Sequence, residues 1–306
     1  MTVKVQIALS EISPDLGLKV IRDGKFSNLG FISNQNEESL VFASAESAFD
    51  QPAFLKKVSA IITLPGLENH APEHCAVAVS DDPYGAFLRL HEFLGTETDF
   101  YYKEHDTVVH PSAEIHPTAT LPEKNVRIGA NTVVGANVVI WERSVIAEDI
   151  YIAPNVVIGE GSVDHKKYNG AIYRVPHQGG VSLARGVEIQ VGAIVSRNTF
   201  GGQMPIEEDT CIGAQAFIAH NCSIGRRCNI GVGALVAGNV HIGNDVRIAP
   251  HAAINVDLAI GDEAFVEMGQ LLTRDLPSQH VLFGQKIMTR DRYESLIKAF
   301  KGPSHV

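Results

Sequence analysis

The sequence predicts a mainly β chain: a long solenoid of short parallel strands, preceded by an α/β domain and followed by a short helix. Three observations carry this. Aliphatic residues recur at every sixth position through residues 128–266. Residues 1–104 lack that period and show the patterns of buried strands and an amphipathic helix. Beyond Val266 the period stops and residues 289–300 read as a helix.

Taken in order, the first domain spans residues 1–104, with buried strands expected at 58–63 (VSAIIT) and 75–79 (CAVAV). Residues 82–94 (DPYGAFLRLHEFL) read as a helix, with Asp82 as N-cap and Pro83 in its first turn, where a missing N–H costs nothing. Ala86, Leu88, Leu90 and Phe93 supply its apolar contacts. Residues 105–116 lead into the solenoid, which occupies 105–270, and residues 271–306 form a terminal cap with the short helix.

The solenoid's period is strict. Ile128, Val134, Ile140, Ile146, Ile152 and Ile158 are six apart; Leu183, Ile189 and Val195 resume the period; and Ile206, Ile212, Ile218, Ile224, Ile230, Val236, Ile242, Ile248, Ile254, Ile260 and Val266 continue it. Neither a 3.6 nor a 2.0 period restricts only every sixth place. Four positions after each aliphatic residue comes a small or β-branched one, such as Thr132, Val138, Ser144, Ser162, Thr210, Ala216, Cys222 and Cys228. The next position after the aliphatic residue is often Gly, as at Gly129, Gly213 and Gly225. A short strand and a tight turn account for all three restrictions: one large side chain points inward, a small one packs beside it, and the turn limits bulk. Three such units close a triangular coil of 18 residues, and stacked coils pair each backbone with the next. Two stretches, 163–181 and 200–205, are too polar or Gly-rich to continue the coil and are expected to be external loops that place binding groups.

Composition narrows the function. At 306 residues the chain holds about two domains at roughly 150 residues each. A net charge of −10 repels phosphate backbones, so nucleic acid is a poor partner. No apolar run approaches the roughly 20 residues that span a bilayer, and residues 1–13 lack the basic-then-apolar pattern of a secretory leader, so a cytoplasmic location is expected. The four cysteines form no CxxC pair, so neither a disulfide framework nor a zinc knuckle is indicated.

The order of features is narrower than the repeat. DPYGAF at 82–87, HPSAEIHPTA at 110–119, an external loop ending PHQGGV at 176–181 and FIAHN at 217–221 together resemble the UDP-3-O-acylglucosamine N-acyltransferase family of the hexapeptide-repeat acyltransferases. That resemblance implies a left-handed parallel β-helix, a homotrimer, and transfer of an acyl group from a thioester to the amine of a UDP-linked amino sugar. The co-substrate would be an acyl-CoA or an acyl carrier protein, with no bound cofactor and no metal.

The chemistry asks for a base, because the adduct of amine and thioester must lose a proton before the thiolate departs. Imidazole is suited to this at neutral pH. His220 aligns with the family's catalytic histidine. The adduct also carries an oxyanion, for which a fixed backbone N–H is worth about 3 kcal/mol. Gly238 lies 18 residues after His220, one full coil, and aligns with the family's oxyanion glycine. Asn221, Phe42 and Phe49 are the candidate substrate-binding residues, the two phenylalanines being what residues 40–49 offer where the family has a uracil-stacking F-x-x-N-x-x-Y segment, with Ala45 at its Asn position. Asp257 stands where the family has a second histidine, and the terminal helix is short where the family has an extended tail for its carrier-protein partner. These departures fall on groups that hold the substrates. They favour an acyl-CoA such as acetyl-CoA and a UDP- or dTDP-linked amino sugar of surface-glycan synthesis; the alternative is the lipid A enzyme using an acyl carrier protein.

Other readings stay open. His241 and His251 also occupy coil edges, and a zinc hydratase or a non-catalytic sugar-nucleotide scaffold are the readings from other classes. Cys222 and Cys228 fall on inward small positions and read as packing. Which residue orients His220 is open; Glu207, Glu208 and Asp209 are near it in sequence only.

Overall fold

The structure, a computed structural model, describes residues 5–32, 37–50, 56–168, 170–284 and 286–301. The chain divides into two compact units. One holds Met1–Glu104 with Val163–Gln178 and Thr199–Gly202; the other holds His105–Ser162, Gly179–Asn198 and Gln203–Val306.

In the first unit, α1 (Leu9–Leu16) and α2 (Pro83–Thr96) accompany a sheet of β1 (Lys19–Arg22), β2 (Asn28–Leu29), β3 (Ser39–Ala43), β4 (Val58–Thr63) and β5 (Ala76–Val79), in the order β1-β5-β4-β3-β2. The edge strand β1 runs antiparallel and the others are parallel. Such a sheet buries both faces, hence the continuous apolar runs. Side chains alternate: Leu40, Ala60, Ile62, Ala76 and Ala78 pack with Ala86, Phe87, Leu90 and Leu94 of α2, whereas Val41, Val58, Ile61, Cys75 and Val77 form a separate cluster. Asp82 caps α2, its Oδ1 accepting the Gly85 N–H at 3.0 Å.

The longer excursion belongs to this unit. Its hairpin pairs His165–Tyr168 with Ala171–Arg174, and Val175 is buried with Leu88, Leu90 and Leu94. His91, fully buried on α2, sits 2.6 Å from the Tyr101 hydroxyl through Nδ1 and 2.7 Å from the Pro176 carbonyl through Nε2. Tyr173 donates to Glu92 at 3.2 Å, and burial together with that carboxylate pushes its phenol up to about 12. An excursion expected to display binding groups therefore spends these side chains on packing.

The second unit is the solenoid, and the mainly β expectation holds. Among the described residues it forms three sheets of eight, ten and seven strands. Ladders stack inward aliphatics on one another: Ile128 on Ile146, Ile146 on Leu183, Leu183 on Ile206, and likewise Ile158 on Val195 and Val195 on Ile218. Both excursions thus leave and re-enter without loss of phase. Every member of the six-residue series from Ile128 to Val266 is at most 4% exposed, and burying each stabilises the column by roughly 1.5–3 kcal/mol.

Two corner features refine the sequence reading. Except after Ile158 and Val195, where the two excursions leave, the third residue after each aliphatic is left-handed, with φ of 55° at Asn131, 61° at Asn155, 57° at Asn221 and 60° at Asn239. Asn and Asp tolerate that region, which explains their recurrence there. The glycine directly after the aliphatic answers a different need: a Cβ on Gly225 would lie 2.5 Å from the Gly243 carbonyl oxygen of the next coil. Close stacking, more than turn geometry, excludes a side chain there. The described residues end in a hairpin, His280–Phe283 with Lys286–Thr289, and α3 (Arg290–Lys301).

Candidate active site

His220 follows the strand Phe217–Ile218, which pairs with Leu235–Val236 of the next coil. The ladder continues round the corner: Ala219 donates to the Val236 carbonyl at 2.9 Å, Asn239 to the His220 carbonyl at 2.9 Å, and Asp257 to the Gly238 carbonyl at 3.1 Å. These bonds hold His220 and Gly238 as vertical neighbours. The imidazole lies flush on the glycine, since a Cβ at position 238 would be 2.7 Å from His220 Nε2 and 3.0 Å from Cε1. Among the described residues the Gly238 N–H has no hydrogen-bond acceptor, so it can donate to an incoming oxygen. His220 is half-buried, open enough to meet a substrate.

The other ring nitrogen meets Ser162. Its Oγ is 2.5 Å from His220 Nδ1, and it accepts the His220 main-chain N–H at 3.3 Å. Ser162 was expected as an inward packing residue. Instead Gly159, at φ 83°, lies where the ladder register shifts between Ile158 and Glu160, and beyond it Ser162 is half-buried against His220. Glu207, Glu208 and Asp209 are not this partner: Glu208 faces Arg226 at 3.6 Å, and Asp209 occupies the corner after Ile206.

Asn221 donates to Asn239 Oδ1 at 2.9 Å, and Asn239 donates to Asp257 Oδ1 at 2.8 Å. Asp257, where a second histidine was the comparison, thus ends an amide ladder one coil beyond Gly238. Cys222 and Cys228 are buried thiols. Burial pushes Cys222 up to about 12 and raises Cys228, and Cys222 donates to the Ala237 carbonyl at 3.2 Å. His241 is exposed beside Ser223, 2.9 Å away, and His251 is exposed. Among the described residues no group of three or more His, Cys, Asp or Glu is placed to hold a metal ion.

In the first unit, Phe42 and Phe49 do not share one platform. Phe42 packs among Phe31, Tyr84 and Phe87, with ring centroids 6.2, 5.0 and 5.3 Å away. Phe49 belongs to the other cluster, its ring 5.9 Å from His70.

Residues 131–163 match the model described as "Bacterial transferase hexapeptide (six repeats)". That stretch carries the hexapeptide repeat. The chain is 30% identical over 110 residues to UDP-3-O-acylglucosamine N-acyltransferases of Acinetobacter baumannii strains AYE and ACICU. The similar stretch covers 35% of the chain and 31% of those relatives, so the chain matches about a third of their length. Among solved structures it is similar to the Francisella novicida UDP-N-acetylglucosamine acyltransferase, with 24% identity over 57% of this chain and 64% of that one and a TM-score of 0.45. The LpxA structure from Acinetobacter baumannii is 20% identical over 65% and 79%, with a TM-score of 0.43. Among the described residues no helix is long and apolar enough to cross a membrane.

Proposed function

We propose that the chain transfers an acyl group from a thioester to the amine of a UDP-linked amino sugar, with His220 as general base and the Gly238 N–H as oxyanion donor. The observation that carries this reading is the placement of His220 Nε2 over Gly238, 2.7 Å from where a Cβ would be, on one solenoid corner. The amine attacks the thioester carbonyl, the N–C bond forms and negative charge moves to the carbonyl oxygen. His220 Nε2 takes the surplus proton from nitrogen. Collapse of the adduct breaks the C–S bond, and His220 returns the proton to the departing sulfur, regenerating neutral imidazole. A single fixed N–H opposite the oxyanion supplies about 3 kcal/mol. No resident cofactor takes part in these steps; the acyl thioester is a co-substrate.

The name of the curated relatives supports a 3-O-acylated glucosamine acceptor, the acceptor of the lipid A reading, which takes an acyl carrier protein as donor in place of the acetyl-CoA of the surface-glycan reading. The second reading is favoured by two specific observations: Asp257 is engaged by Asn239, and Phe42 and Phe49 lie in separate clusters. Either reaction belongs in the cytoplasm, where both thioesters are made. The assembly we propose is a homotrimer.

Purified protein offered UDP-glucosamine and its 3-O-acyl form, each with acetyl-CoA and with 3-hydroxyacyl carrier protein, separates the readings. Transfer to the 3-O-acyl sugar from the carrier protein supports the first; acetylation of the unacylated sugar alone supports the second. Absence of N-acylation in every combination refutes both.

A further inference from the structure

We infer that Ser162 is a positioning residue for His220: its hydroxyl fixes which ring nitrogen carries the proton and so turns the basic nitrogen toward Gly238. The Ser162 contact stands on geometry alone; the choice of tautomer, and what the free nitrogen of that tautomer then does, rest on the acyl-transfer reading.

A neutral imidazole has one N–H and one lone pair, and the partner of one nitrogen decides the role of the other. Here the two nitrogens face different neighbours. Nε2 lies against Gly238, 2.7 Å from where a Cβ would be, and Nδ1 lies 2.5 Å from Ser162 Oγ. The oxygen is anchored independently, because it accepts the main-chain N–H of His220 itself at 3.3 Å. It therefore sits beside Nδ1 whatever the ring's protonation. With its second lone pair Oγ accepts Nδ1–H, its own proton turns outward, and the Nε2 lone pair is left over the glycine. The opposite arrangement, with the hydroxyl donating to Nδ1, would place the proton on Nε2 and aim a donor at the reaction centre.

The way the chain delivers Ser162 supports a dedicated role. It lies 58 residues before His220 and at a place where the six-residue pattern calls for an inward side chain. Past the register shift at Gly159 it lies against His220 instead. Irregularities that redirect one side chain cluster at functional sites. A hydroxyl orients the ring without adding a negative charge, unlike the carboxylate of a serine-protease triad.

Two-bond 1H–15N spectra of protein with 15N-labelled histidine read each tautomer, with His220 assigned by its loss in His220→Gln. The wild type is expected to show Nδ1–H at His220, Ser162→Ala to shift it toward Nε2–H, and Ser162→Thr to restore Nδ1–H. In transfer assays Ser162→Ala should lower kcat by about 10²-fold, the lower end of a general base's contribution, with KM little changed and Ser162→Thr recovering much of the loss. Nε2–H in the wild type, or an unchanged tautomer in Ser162→Ala, overturns the inference. So does an acyl-sized mass increase on Ser162 after incubation with acyl thioester, which would make the serine a nucleophile. If the tautomers behave as expected but no thioester supports transfer by the wild type, the acyl-transfer reading fails and the positioning role stands.

Discussion

At position 238 a single hydrogen decides whether the site exists. A methyl there would lie 2.7 Å from His220 Nε2 and 3.2 Å from Cδ2, so Gly238→Ala must push the imidazole off its seat. A displacement of about 1 Å in a catalytic group costs on the order of 10² in rate. Gly238→Ala should therefore lose about 10²-fold in kcat with little change in melting temperature, measured side by side. Cys222 makes the opposite point. Burial holds its thiol at about 12 against an ordinary 9.0, so thiolate is scarce at pH 8 and the folded protein should resist iodoacetamide there, reacting at Cys222 only in denaturant. The same shift ties stability to pH. Below pH 9.0 both states keep the proton; between 9.0 and about 12 only the unfolded chain releases it. Stability should fall across that window, and a Cys222→Ala variant should show less of the fall in denaturant titrations at pH 8 and pH 10.

At the scale of the coil, the left-handed corner is a conformational requirement that side-chain type either meets or strains. Asn155 holds φ 61° and accepts from Asn137 at 3.3 Å. Asn155→Val places a β-branched residue there and should cost about 1–3 kcal/mol, whereas Asn155→Gly keeps the backbone at ease and loses only the amide bond; chemical denaturation of both variants measures the difference. Much of the coil was legible from sequence. The inward column and small neighbours follow from a period that nothing else imitates, and the strand at 58–63 and the Asp82 cap come from equally local signals. The recurrence of Asn and Asp three places after each aliphatic was also present in the sequence, and names the corner once its φ is considered. Ser162 was not legible, because the register shift at Gly159 does not alter the count of six. The excursion's burial was not legible either: His91 and Pro176 meet across 85 residues, and no local pattern encodes such a contact. Phe42 and Phe49 share a short segment, yet Phe42 lies on β3 while Phe49 lies on the 3-10 turn after it, and the two join different clusters.

At the scale of the whole molecule, one solenoid face is apolar outward as well as inward. Along its seven strands the outward positions include Val157, Ile194, Phe217, Leu235, Ala253 and Leu271, with Leu235 47% and Leu271 55% exposed. The same positions on a neighbouring sheet include Glu114, Glu188, Asn229 and Arg247. A contiguous apolar patch of this kind marks an interaction surface. The proposed homotrimer would bury it, and His220 and Gly238 lie a few residues beyond Phe217 and Leu235. Sedimentation analysis should give a trimer for the wild type and smaller species for Leu235→Asp; a monomeric wild type removes the trimer from the account.

The most direct test of the central claim compares wild type and His220→Ala for release of free thiol from an acyl thioester, with and without a UDP-linked amino sugar. The account predicts sugar-dependent release by the wild type and a loss of about 10²–10⁴-fold in the variant, with circular dichroism and melting unchanged. Equal rates for the two proteins would contradict it.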